Sequence, residues 1–243
     1  AVGTGHRRPL VERQNRHRLG LAGRAAGCVR LELATNDAMR LHGLELSAAE
    51  DLVVPDEVPL SPADVLDPDS GVIEGFYGIP WSWRERRRMM SAQASLGMGL
   101  YLYAPKNDPL HRDRWREPYP EADVARFAAL AEHARTLGVT AVFGVSPFID
   151  YRDDEADYAT LLKKVRDFLD LGFGGFAVLA DDIEFAPGVE VDGALGVVHV
   201  AVVNRLATDL PDAIPYFTPT VYSDERATDW SGGMAYLAAL QDL

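Results

Sequence analysis

"LGFGGFAVLADDI", residues 171–183, holds a helix stop, a strand and a carboxylate pair in one short stretch. The Leu171-Gly172 pair closes a segment with a helical apolar stripe, and glycine is the usual residue where a helix ends. Residues 175–180 are small or apolar without alternation, which predicts a strand buried on both faces, as in a parallel sheet covered by helices. Asp181 and Asp182 then stand at the carboxyl end of that strand, read as 175–183. Carboxylates are rarely tolerated after a buried run unless something uses them.

The same unit recurs on both sides. Leu-Gly also closes apolar-striped segments at 96–97 and 137–138. "GVIEGFYG" (71–78), "GLYLYAP" (99–105), "TAVFGVSP" (140–147) and "AIPYFTPTVYS" (213–223) read as the other four strands. The helix over 80–97 starts with Pro80 and a Ser82/Glu85 capping box. In the helix over 119–138, Val124, Phe127, Ala128, Ala131 and Ala134 share a face. In the helix over 157–172, Leu161, Leu162, Val165, Phe168 and Leu169 do.

Alternating strands and helices predict a parallel α/β fold, either doubly wound or a TIM (β/α)8-type barrel. No strand is followed by a G-x-G-x-x-G or a P-loop, so a nucleotide site loses support. Polar and aromatic residues gather instead where strands end: 74–77, 106–108, Asp181, Asp182 and Tyr222. A barrel builds its site at those ends, so the barrel is favoured. About five βα units fit between residues 71 and 243, whereas a closed barrel takes eight strands and roughly 250 residues. The expectation is a barrel truncated after about five units, over 71–243, behind a short N-terminal segment, 1–70.

That segment divides in two. Residues 1–40 carry eight arginines against Glu12, Glu32 and Asp37, a basic leader without aromatic stacking residues or a nucleic-acid motif. Residues 45–69 carry eight acids, no base and four prolines, and read as a linker. The net charge of −13 argues against a polyanionic partner, so no nucleic acid is expected. No apolar run reaches the roughly 18 residues of a membrane span, and no signal peptide is visible, so no membrane partner is expected and localisation stays open. The single cysteine, Cys28, excludes an intramolecular disulfide. No histidine lies within ten residues of the aspartate pair, so neither a metal nor a cofactor is expected.

The aspartate pair reads either as a cap of the next helix or a loop-amide acceptor, or as two neighbouring carboxylates that divide into one anion and one acid, which suits glycoside cleavage. As sequence neighbours they are expected to diverge and serve two different atoms of a sugar. Lys106, one of three lysines beside 21 arginines, follows a buried strand and suits a sugar hydroxyl. Tyr77 and Tyr222 read equally as core aromatics or pocket walls. Trp81, Trp83 and Trp115 read as packing residues.

"GVIEGFYGIPWSW", "YLYAPKNDP", "RWREPY" and "FAVLADDIE", in this order, resemble the catalytic domain of β-N-acetylglucosaminidases of glycoside hydrolase family 84, which includes O-GlcNAcases and bacterial enzymes labelled hyaluronidase. The resemblance covers about 71–223. It implies a (β/α)8 barrel that removes terminal β-linked GlcNAc from a glycan or glycoprotein with retention, through an oxazoline formed by the substrate's own acetamido group. Bacterial members often carry a small α/β domain before the barrel, of which 1–70 is a candidate remnant. By the motifs, Asp181 would orient the acetamido N–H and Asp182 would act as acid and base. Gly75 and Lys106 would hold hydroxyls, Tyr222 would bond the acetamido oxygen, and Tyr77 would line the pocket. Departures from the family pattern are Ile79 for Arg, Asn107 for Asp, Ala180 for Phe, and Thr218 and Val221 for Cys and Glu. The rivals are a non-catalytic carbohydrate-binding or inactive barrel, and nucleic-acid binding through the leader.

Overall fold

The computed structural model describes residues 61–183 and 191–243. The basic leader, Cys28 and most of the acidic linker lie outside them. Five strands, β1 (Asp67–Glu74), β2 (Met98–Tyr103), β3 (Thr140–Val145), β4 (Gly175–Leu179) and β5 (Ile214–Thr218), alternate with helices. The helices are α1 (Trp83–Ser95), α2 (Glu121–Leu137), α3 (Glu155–Asp170) and α4 (Gly193–Asp209), followed after β5 by the short α5 (Asp224–Asp229) and α6 (Gly233–Ala239).

All neighbouring strands are parallel, and their spatial order is their chain order, curling into a half-barrel. That order decides between the two candidate architectures. A doubly wound sheet reverses its strand order at a switch point. Here every crossover advances one strand in the same direction, and crossovers of one hand put their helices on one face.

The two faces have separate cores. Tyr101, Tyr103, Phe143, Val145, Phe176 and Val178 point toward the helices and pack with Met90 and Ala94 of α1, Phe127 and Leu130 of α2, Leu161 and Val165 of α3, and Val203 and Leu206 of α4. Leu100, Leu102, Ala104, Val142, Ala177 and Leu179, with Tyr216, form the opposite, concave layer. Gly144 belongs to that layer, where a Cβ would stand 2.8 Å from the Ala104 methyl and 3.2 Å from Leu179.

Local signals explain the helix ends. Ser82 and Glu85 form the expected capping box, with the Ser82 amide donating to Glu85 at 2.7 Å and the Glu85 amide to Ser82 Oγ at 3.3 Å. The three Leu-Gly stops all hold glycine at positive φ: 82° at Gly97, 71° at Gly138 and 100° at Gly172. The apolar stripe of α2 sits slightly off the expected face. Leu130 is buried with Phe127, Ala131 and Ala134, while Val124 and Ala128 are half-buried. All five strands end earlier than the runs read for them, β2 at Tyr103, β3 at Val145 and β4 at Leu179 among them. β1 stops at Glu74, four residues before Gly78, which turns at φ 108°. β5 stops before Pro219, and the Thr220 amide turns to the Tyr236 hydroxyl. β1 begins at Asp67, inside the stretch read as linker, and Asp67 N–H bonds the Gly97 carbonyl.

Phe127 is the hub of the helix-side core, edge-on to Trp83, Tyr103, Tyr119 and Phe168 at centroid distances of 4.8–5.0 Å. Phe127→Ala is expected to lower unfolding stability by about 3–5 kcal/mol, measured by chemical denaturation. A loss below about 1 kcal/mol would show that the aromatic cluster closes over the gap.

Candidate functional site

A parallel sheet places the ends of all its strands on one side, and there the polar residues collect. Glu74 ends β1 fully buried. It accepts hydrogen bonds from Arg86 Nε at 2.8 Å and Nη2 at 2.9 Å, from the Tyr101 hydroxyl, and from the Trp81 amide at 3.1 Å. That closed network fixes where the 75–81 loop leaves the sheet. β1–β2 pairing then continues past both strands, from the Ala104 amide to the Glu74 carbonyl and from the Lys106 amide to the Phe76 carbonyl. By that register Gly75 stands across from Ala104, two residues before Lys106. Asn107, at a departure from the family pattern, accepts the Gly78 amide at 3.3 Å.

The end of β4 is fixed from both sides. Ser146 Oγ donates to the Leu179 carbonyl at 2.8 Å, and Thr220 Oγ1 donates to the Ala180 carbonyl at 2.7 Å. Thr220 is held in turn, because its amide donates to Tyr236 Oη at 3.0 Å and that hydroxyl lies 2.8 Å from His199 Nδ1.

On this platform Lys106, Asp181 and Asp182 meet. Lys106 Nζ is 2.6 Å from Asp181 Oδ2 and 3.5 Å from Asp182 Oδ2, with its side chain almost wholly buried. The expected divergence of the two carboxylates is therefore corrected: both reach one ammonium. Consecutive side chains point to opposite faces only while the backbone stays extended. The strand ends at Leu179, and Asp182 sits at φ 51°, turning its carboxylate back toward Lys106. The second oxygen of Asp181, Oδ1, is buried with no hydrogen-bond donor among the described residues.

Two arginines that the sequence reading passed over join the remaining residues to this centre. Arg112 donates to the Asp182 carbonyl and lies 3.5 Å from the Tyr77 hydroxyl. Arg226 Nη2 is 3.9 Å from Asp182 Oδ1, and its guanidinium stacks on Tyr222 at 4.4 Å and on Trp230 at 5.3 Å. Tyr77 and Tyr222, both largely exposed, thus connect to the pair through an arginine and not directly. A cavity of about 470 Å³ is lined by Tyr222, Ser223, Glu225, Arg226, Asp229 and Trp230. No periodicity marks a loop residue, and only burial separates Arg112 from its neighbours Arg114 and Arg116. Trp115 is fully buried with its indole N–H on Asp150, the packing role expected of it.

The described residues contain no cluster of three or more His, Cys, Asp or Glu able to hold a metal, and no helix long and apolar enough to cross a membrane.

The β-N-acetylglucosaminidase family model matches residues 70–242, most of the chain and all five strand ends except the start of β1. The chain belongs to that family. Among curated proteins, this β-N-acetylglucosaminidase-family chain is 31% identical over 157 residues to Protein O-GlcNAcase of Rattus norvegicus and equally to that of Mus musculus. Each match covers 63% of the chain and 17% of the relative, so the chain spans under a fifth of their length. Among solved structures, a variant of the Thermobaculum terrenum O-GlcNAc hydrolase aligns with a TM-score of 0.63 at 30% identity, covering 72% of this chain and 38% of that one. The family and these relatives are glycoside hydrolases.

Burial holds both His111 and His199 neutral, with pKa values lowered to about 4. The unfolded chain takes up these protons near pH 6.5 and the folded chain does not. The stability that neutral histidine confers is therefore complete above about 6.5 and is lost as pH falls toward 4, on the order of 3 kcal/mol for each ring. The thermal midpoint is expected to fall between pH 7.5 and 5.0, and His199→Gln is expected to flatten that fall. Equal slopes in the two proteins would assign the acid sensitivity elsewhere.

Proposed function

We propose that residues 71–243 form the barrel-type catalytic region of a retaining β-N-acetylglucosaminidase that releases GlcNAc from a protein or glycan by substrate assistance. One observation carries the reading: Asp181 has one oxygen neutralised by Lys106 and the other buried without a donor among the described residues. An acceptor desolvated in this way is costly unless a donor arrives. An acetamido N–H supplies one.

In the first step the acetamido oxygen attacks the anomeric carbon as the bond to the leaving oxygen breaks. Asp182 gives its proton to that oxygen, and Asp181 holds the N–H of the cationic oxazoline that forms. In the second, water attacks the anomeric carbon and gives a proton to Asp182. The ring opens, the acetamide is restored, and two displacements leave the configuration retained. This replaces the carboxylate nucleophile of the common retaining scheme. Lys106 and the Gly75 carbonyl hold sugar hydroxyls, Tyr222 bonds the acetamido oxygen and Tyr77 lines the pocket. The family membership and the convergence of Lys106 with both aspartates support these assignments. Each motif residue is present, and Ile79, which stands where relatives carry Arg, is almost fully exposed.

Hydrolysis of a fluorogenic β-GlcNAc glycoside by the 243-residue chain tests the reading. Asp182→Asn is expected to lower kcat by roughly 10²–10⁴-fold, the usual worth of a positioned acid. Equal turnover in the variant would remove Asp182 from the chemistry. GlcNAc binding without turnover in either protein would favour a carbohydrate-binding role.

A further inference from the structure

We infer that Arg112 is a positioning residue for Asp182, holding the turned backbone that aims its carboxylate. This rests on the reading of Asp182 as the acid. Among the described residues only Asp153 and Asp182 carry a side chain at positive φ, the latter at 51°. L residues enter that region rarely; aspartate is among the few that do so readily, and which conformation it keeps is decided by what its surroundings hold. The turn matters because it reverses the direction of the second carboxylate. Without it, Asp181 and Asp182 would point to opposite faces and could not share Lys106.

The bond that holds the turn comes from Arg112 to the Asp182 carbonyl. The other buried arginine among the described residues, Arg86, is spent on a carboxylate, Glu74 at 2.8 Å, and so is the partly buried Arg116, on Asp150 and Asp157. Arg112 is different. Its one carboxylate neighbour among the described residues is the exposed Asp113 at 3.9 Å, while its guanidinium faces the Asp182 carbonyl and the Tyr77 ring, 5.9 Å from the ring centroid.

Arg112 is itself fixed from below. Lys164 Nζ donates to the carbonyls of Leu110 at 2.6 Å and Glu117 at 2.7 Å, stapling both ends of the loop that carries Arg112. The Ser146 amide donates to the His111 carbonyl at 2.8 Å, so the same residue secures this loop and, through its hydroxyl, the end of β4. Arg112 thus transmits the rigidity of α3 and β3 to one peptide group. It does not touch the ammonium or Asp181, so its loss should weaken proton delivery more than sugar binding.

The test compares two β-GlcNAc aryl glycosides on the full chain: one with a poor phenolate leaving group, and a dinitrophenyl glycoside whose leaving group departs without a proton. Arg112→Met is expected to lower kcat on the poor leaving group by roughly 10²-fold, the scale of a small misplacement of a catalytic group. On the activated glycoside it should lose far less, and Arg112→Lys should recover part of the difference. Equal losses on both glycosides would reduce Arg112 to a structural role and overturn the inference. Asp182→Asn, run alongside, separates the two failures. If it shows no leaving-group selectivity, or if the parent chain turns over neither glycoside, the reading of Asp182 as the acid falls. The positioning claim is then decided by the crystal structure of Arg112→Met. An Asp182 that keeps its positive φ and its approach to Lys106 there would overturn it.

Discussion

Parallel pairing in chain order is the constraint from which the rest follows. Each strand must be re-entered from the same end, so each is followed by a crossing helix, and every strand delivers its next residues to the same rim. Five such deliveries bring together residues from 75 to 226 that no local structure could assemble. The glycine stops at 97, 138 and 172 serve this constraint directly, since each ends a helix where the chain must turn back toward the sheet.

The rim is then made rigid by polar groups whose partners are all within the fold. Glu74 with Arg86, Ser146 with the Leu179 carbonyl, and Thr220 with Ala180 and Tyr236 leave little freedom in the three segments that surround the aspartates. Cations sit on this frame in an otherwise acidic chain. Lys106, Arg112 and Arg226 each approach a different part of the carboxylate pair: its shared side, its backbone and its outer oxygen. Charges placed in this way by a fixed frame need no reorganisation when a reaction develops charge of its own.

Much of the architecture was legible because its signals are periodic or punctuating. Apolar runs marked the five strands, the Ser82/Glu85 pair marked one helix start, and Leu-Gly marked three helix ends. All five strand ends were overrun because an apolar run says where a chain is buried, not where its amides change partners. The stripe of α2 was misjudged by a residue because alanines signal a face weakly. In the site, Lys106, Asp181 and Asp182 could be named from their place after buried strands. Their convergence could not, because it depends on a single positive φ at Asp182. Arg112 and Arg226 were missed for a related reason: each is one arginine among many, and only its tertiary neighbours give it a role.

The left-handed backbone at Asp182 also narrows which residues position 182 can accept. Aspartate and asparagine are among the few side chains that enter this region readily, whereas glutamate, though it keeps the carboxyl, has no comparable tolerance. A glutamate here would shift the backbone as well as lengthen the acid, so the exchange that looks most conservative on paper alters two properties at once. Asparagine removes only the ionisable group and leaves the turn in place. The position is thus specified by conformation as well as by charge, and its permitted alphabet is shorter than its chemistry alone would require.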